Sequence, residues 1–272
     1  MTDMNYRKVV WLVRKDLREA LGNKFVVLPM LVLPLVLCVA IPALLVYLGL
    51  ELGAIASSGA QSLERLLPLY DIPGRLVDPV ERMLYVFLNY TMMPFFIIIP
   101  IMLSGVIAAN SVAGEKERKS LETLLYTPLT NREFVLGKLL SSFVPSMTVS
   151  LVSFLAYFAV TNGAWYALRG SFVLEAVSWI PALLVLSPAA SLMALGATLL
   201  VGIKAKTFLE AQQSSALVVL PCIVFVAAQL GGLVVISPLA ILAAGVAVLA
   251  LDYALIMRVA PRFDRERLIS TI

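Results

Sequence analysis

The chain has 272 residues, 61% of them apolar, and carries 21 Lys and Arg against 17 Asp and Glu, with no histidine. That absence excludes a Ser-His-Asp triad, an HExxH zinc site and an imidazole proton relay. Five stretches hold no charge at all, 25–50, 83–114, 139–168, 176–203 and 211–251, and each exceeds the ~20 apolar residues that take a helix across ~30 Å of hydrocarbon.

From the N-terminus, residues 5–21 predict an amphipathic helix. Tyr6, Val9, Val10, Val13, Leu17, Ala20 and Leu21 fall on one face, charged residues fill the rest, and Gly22-Asn23 supplies the stop. A basic amphipathic helix beside a span suits the inner membrane interface; a solvated helix is the alternative. Spans are expected near 25–48, 84–109, 138–160, 177–202, 214–236 and 239–258. The first charge-free run, at 26 residues, is too long for the ~7–15-residue core of a secretion signal. The last run would make one helix of about 60 Å at ~1.5 Å per residue, and Ser237-Pro238 breaks it. The expected fold is therefore an all-α polytopic membrane protein, with residues 1–272 as a single transmembrane domain. Segment 51–82 is too short for a domain of its own; Leu63, Leu66, Leu67 and Tyr70 predict an amphipathic turn or two there.

Segment 110–138 carries the densest charge. Glu115 with Lys119, and Arg118 with Glu122, have the i,i+4 spacing that favours helix, while Leu121, Leu124 and Leu125 form a short apolar face. A helix over 112–126 is expected, ended by Pro128, and Thr130-Asn131-Arg132-Glu133 has capping-box spacing for the next one. A solvated loop helix is one reading; the leucine face asks for a protein partner or the membrane surface.

Polar residues inside the spans are few. Ser142, Ser146, Ser150 and Ser153 line one face of span three, which fits either close packing through small residues or the lining of a path. Asn89, Thr91 and Gln229 are further path candidates. Asp252 reads as an interfacial residue or a partner for an inner-side base such as Arg258, and Cys38 and Cys222 read as core thiols without metal-ligand spacing. Nine prolines fall within the spans (29, 34, 42, 94, 100, 145, 181, 188 and 221), and each permits a kink.

Lysines and arginines give the orientation. The N-terminal segment, 110–138, 204–210 and the tail hold 17 of them, whereas 51–82 and 161–175 hold four: Arg65, Arg75, Arg82 and Arg169. This bias places both termini in the cytoplasm. The net charge of +4 is then a topology signal, and no nucleic-acid partner is expected.

The pattern Gly114-Glu115-Lys116-Glu117-Arg118, Leu121-Glu122, Leu124-Leu125, Pro128, Arg132-Glu133 and Gly137-Lys138 resembles the GEKERGTLE-LL-P-(S/T)-RE-GK signature of the permease subunits of type-2 ABC transporters. The basic N-terminal helix is similar to that family's elbow helix, and Ala211-Gln212-Gln213 to its inner loop before span five. The resemblance implies a coupling helix at 112–126 that docks on a separate ATPase through Gly114, Glu115, Glu117, Arg118, Leu121, Glu122, Leu124 and Leu125. It also implies two ATPase subunits, a second permease copy or paralogue, and export. The chain holds no GxxxxGK[ST] phosphate loop, so no cofactor is expected on it, and ATP and Mg belong to the partner. The absence of spans with deep charge suggests an amphipathic or lipophilic cargo. The rival readings are an ATP-independent carrier or channel, a membrane-embedded enzyme, and a non-transporting sensor on the same fold.

Overall fold

The computed structural model describes residues 5–50, 67–120, 130–202, 204–205, 207–230 and 237–259. Every regular element among them is helical. Helix α1 is Tyr6–Gly22, α2 is Lys24–Leu50, α3 is Pro79–Glu117 and α4 is Asn131–Arg169. After these come α5 over 176–202, α6 (Phe208–Leu230) and α7 (Pro238–Val259). Among the described residues, four helices are long and apolar enough to cross a membrane: Lys24–Leu50, Pro79–Glu117, Glu133–Arg169 and Trp179–Gly202. The apolar stretches of the last two, Phe208–Val224 and Leu239–Ala254, are shorter.

The caps follow local chemistry. Asn5 accepts from the Arg7 N–H at the start of α1, and Asn23 accepts from the Phe25 N–H at the start of α2. The capping box forms as spaced: Thr130 Oγ1 accepts from the Glu133 N–H, and Glu133 Oε2 accepts from the Thr130 N–H. Its other oxygen accepts from the Asn5 N–H at 2.7 Å, so one carboxylate serves two helix starts. Gly170, left-handed at φ 66°, closes α4. With both ends capped, α4 outruns the expected span 138–160.

Helix α3 is the hub. It packs against α2, α4, α5 and α6, and 89% of its apolar window is buried against 17% for α2. Ile97, Ile98 and Ile101 meet Ala190, Ala194 and Val219 in one cluster. Nearer α3's start, Phe96, Phe154, Tyr157 and Trp179 pack as an aromatic group with centroids 4.8–6.1 Å apart.

Four π turns interrupt the long helices, at Leu35–Ala40, Phe87–Thr91, Asn110–Gly114 and Ala182–Leu186. Proline adjoins three of them (Pro34 and Pro42, Pro94, Pro181 and Pro188), where the missing N–H removes an i→i−4 bond. The turn at Asn110–Gly114 has no proline in it or beside it.

The helix expected over 112–126 is corrected in its described part. Residues 110–117 are the last turns of α3, and the chain then turns through Arg118–Ser120 with Lys119 at φ 57°. Leu121, Glu122, Leu124 and Leu125 lie outside the described residues, as do Leu63, Leu66 and the side chain of Gln229.

Candidate functional site: a buried ionic junction

Helix α1 does not bury the whole face that its pattern predicts. Val9, Leu12, Asp16 and Ala20 turn inward, while Tyr6, Val10 and Leu21 stay exposed. The reason is the partner surface: α1 lies on the N-terminal half of α4, with Leu12 against Gly137. A Cβ at Gly137 would stand 2.5 Å from Leu12 Cδ2 and 3.1 Å from its Cγ, so only glycine permits this approach. The contact stripe therefore includes an acid, and the remaining apolar residues form a second stripe facing outward.

Asp16 meets a base in that interface. Lys138 is fully buried and has three ammonium protons for three acceptors: Asp16 at 3.1–3.2 Å, Glu115 Oε2 at 2.8 Å and the Ser111 carbonyl at 2.6 Å. Its ammonium also stands 5.7 Å from the Phe134 ring centroid. Ser141 Oγ donates to Asp16 Oδ2 at 3.1 Å. Lys15 binds the second oxygen of Glu115 and lies 3.2 Å from Glu19 and 3.6 Å from Asp16. Two lysines thus balance Asp16 and Glu115, and four charges tie α1, the end of α3 and the start of α4 into one unit. The π turn at Asn110–Gly114 presents the Ser111 carbonyl to Lys138, which accounts for an irregularity that no proline explains.

Burial raises the Asp16 carboxyl above its ordinary 3.8, while Lys138 pulls the other way. For Lys15 burial lowers the pKa, but Glu115, Asp16 and Glu19 outweigh it and hold the ammonium above 10.5. Asp16, Glu19 and Glu115 converge as a cation site would, yet the Lys15 ammonium sits among them. The charges of this cluster are therefore spent largely on one another, across α1, α3 and α4.

The expected docking residues separate into two groups. Gly114 and Glu115 are buried, and Glu115 is spent on Lys15 and Lys138 instead of the expected i,i+4 partner Lys119. Glu117 and Arg118 are exposed. Glu117 accepts from the Phe208 N–H at 2.9 Å, which links the end of α3 to α6, and Arg118 approaches Glu19 at 3.6 Å and Asn110 at 3.4 Å.

The path candidates whose side chains are described are packed. Ser142, Ser146 and Ser153 donate to carbonyls of their own helix, Ser146 also meets Ser191 at 3.4 Å, and Ser150 is buried. Asn89 donates to the Tyr85 and Val173 carbonyls and accepts from the Glu175 N–H, tying α3 to the 171–175 segment. Thr91 is buried too. Asp252 is buried, and neither carboxylate oxygen has a hydrogen-bond partner among the described residues; the side chain of Arg258, its expected partner, lies outside them.

Sequence reasoning missed Asp16 and the burial of Lys138. The signal was present: Asp16 breaks the stripe Val9–Leu12–Ala20, and Lys138 opens a charge-free run. A lone acid on an apolar stripe asks for a buried base.

A family model described as "ABC-2 family transporter protein" matches residues 10–256. No curated protein and no solved structure matches the chain.

Proposed function

The chain belongs to the ABC-2 transporter family, and from that premise we propose that it is the permease subunit of an exporter driven by separate ATPases. The family is a membrane transport component and not itself catalytic. In our reading α2–α7 are six spans with both termini cytoplasmic, α1 is the interfacial elbow helix, and the segment 112–126 receives the motor. Two ATPase subunits would carry ATP and Mg, and a second permease copy or paralogue would complete the path. The cargo is read as amphipathic or lipophilic.

One observation carries the reading. The exposed Glu117–Arg118 edge is continuous with the buried junction of Asp16, Glu115 and Lys138. A push on the Glu117–Arg118 edge would therefore reach the ends of three helices through these contacts. Buried ionic contacts have discrete arrangements, which suits a switch between two states. Ser142, Ser146, Ser150 and Ser153 would face a path only in the state that parts α4 from α3 and α5.

Co-purification tests it. Arg118→Glu with Leu124→Asp should abolish recovery of the co-expressed ATPase with this chain while leaving the chain in the membrane. Unchanged recovery contradicts the docking assignment.

A further inference from the structure

A cavity of about 370 Å³ opens beside the junction, lined by Asn23, Phe25, Gly114, Arg118, Phe208 and Leu209 among others. A more open one of about 630 Å³ adjoins it, sharing Asn23, Phe25 and Arg118 and adding Lys24. Three features define what fits here. The first is depth. Lys24 is the last charge before the run 25–50, and Gly114 closes the run 83–114 just before Glu115. The cavity thus sits where polar chain gives way to apolar chain, at the level of lipid headgroups.

The second is charge. Lys24 and Arg118 both face the opening, and Lys24 makes no ion pair among the described residues. Two acids share the walls: Glu19, with one oxygen 3.2 Å from Lys15 and the other 3.6 Å from Arg118 without a hydrogen bond, and Glu117, which holds the Phe208 N–H. The guanidinium's own contacts are long, 3.4 Å to Asn110 and 3.6 Å to Glu19, which leaves donors for an anion. Gly114 forms part of the wall; a Cβ there would stand 3.2 Å from Asn110 Oδ1 and 3.5 Å from the guanidinium.

The third is the apolar rim. Phe25, Leu28 and Leu209 are 72%, 65% and 64% exposed. Helices α2 and α6 both pack on α3, and these three side chains stand exposed on α2 and α6 beside or one turn beyond the cavity. A lysine without an ion pair among the described residues, an arginine with donors to spare and an apolar rim together match one kind of molecule.

We propose that this cavity binds the phosphate of a phospholipid from the leaflet next to α1, with Lys24 and Arg118 on the phosphate and the acyl chains along Phe25, Leu28 and Leu209. That the leaflet is the cytoplasmic one rests on the orientation proposed above. Binding is read by mass, independently of ATPase recovery, so the two readings fail separately.

The test is native mass spectrometry of the purified full chain in detergent, with phosphatidylglycerol added, or diacylglycerol of the same chains, or inorganic phosphate. The expected result is retained phosphatidylglycerol whose affinity falls about tenfold in Lys24→Gln with Arg118→Gln, as loss of charge-assisted bonds predicts. Diacylglycerol should bind poorly, and inorganic phosphate should not compete. Equal retention by the double variant, equal binding of diacylglycerol, or displacement by inorganic phosphate would each overturn the proposal. On the unaltered chain, a diazirine-bearing phosphatidylglycerol should crosslink most strongly to the peptides around 22–28 and 207–211; labelling spread evenly over the exposed apolar helix faces would also overturn it.

Discussion

Replacing Lys138 by Met would leave Asp16 and Glu115 as buried carboxylates that each keep only part of their hydrogen bonding. Breaking one partner of a buried ion pair costs roughly 3–5 kcal/mol, whereas removing the whole set is often close to neutral. Lys138→Met should therefore lower the thermal midpoint of the detergent-solubilised chain markedly, and adding Asp16→Asn and Glu115→Gln should recover most of the loss. A triple variant less stable than the single one would contradict a shared network. Lys15 gives the pH dependence. Its pKa is raised above 10.5 in the folded chain, so its contribution is complete below 10.5 and lost as pH rises through the folded value. Alkaline unfolding should accordingly be steeper with pH in the wild type than in Lys15→Gln, measured by helical circular dichroism; identical slopes would contradict the ion set.

At the scale of elements, Gly137 is the test of how α1 is seated. Its missing side chain admits Leu12, and overpacking of this kind costs ~1–3 kcal/mol. Gly137→Ala should lower the midpoint and raise protease cleavage within residues 5–23, because α1 must lift from α4; an unchanged cleavage pattern would show that α1 is held otherwise. The sequence made much of this level legible. Charge-free runs marked the long helices, and the spacing from Thr130 to Glu133 marked where α4 begins. The face by which α1 packs was not legible. Periodicity separates apolar from charged residues, but Val9, Leu12 and Ala20 were chosen over Val10 and Leu21 by the shape of α4. In the described part of the helix expected over 112–126, the chain departs from the pattern for a related reason. Glu115 finds Lys15 and Lys138 far off in sequence, and these tertiary pairs override the local i,i+4 pattern.

For the whole molecule, α3 joins the bundle core to the junction, and in the proposed reading the Glu117–Arg118 edge, tied to α6, is where a partner would gain leverage on it. Crosslinking in membranes addresses this directly. Only Cys38 and Cys222 need removal to free the chain of cysteine. In that background Arg118→Cys should crosslink to the co-expressed ATPase through a short bifunctional reagent. Arg75→Cys, whose native guanidinium bonds the Phe172 carbonyl near the opposite end of α4, should not. Crosslinks from position 75 and none from position 118 would contradict both the orientation and the site of attachment.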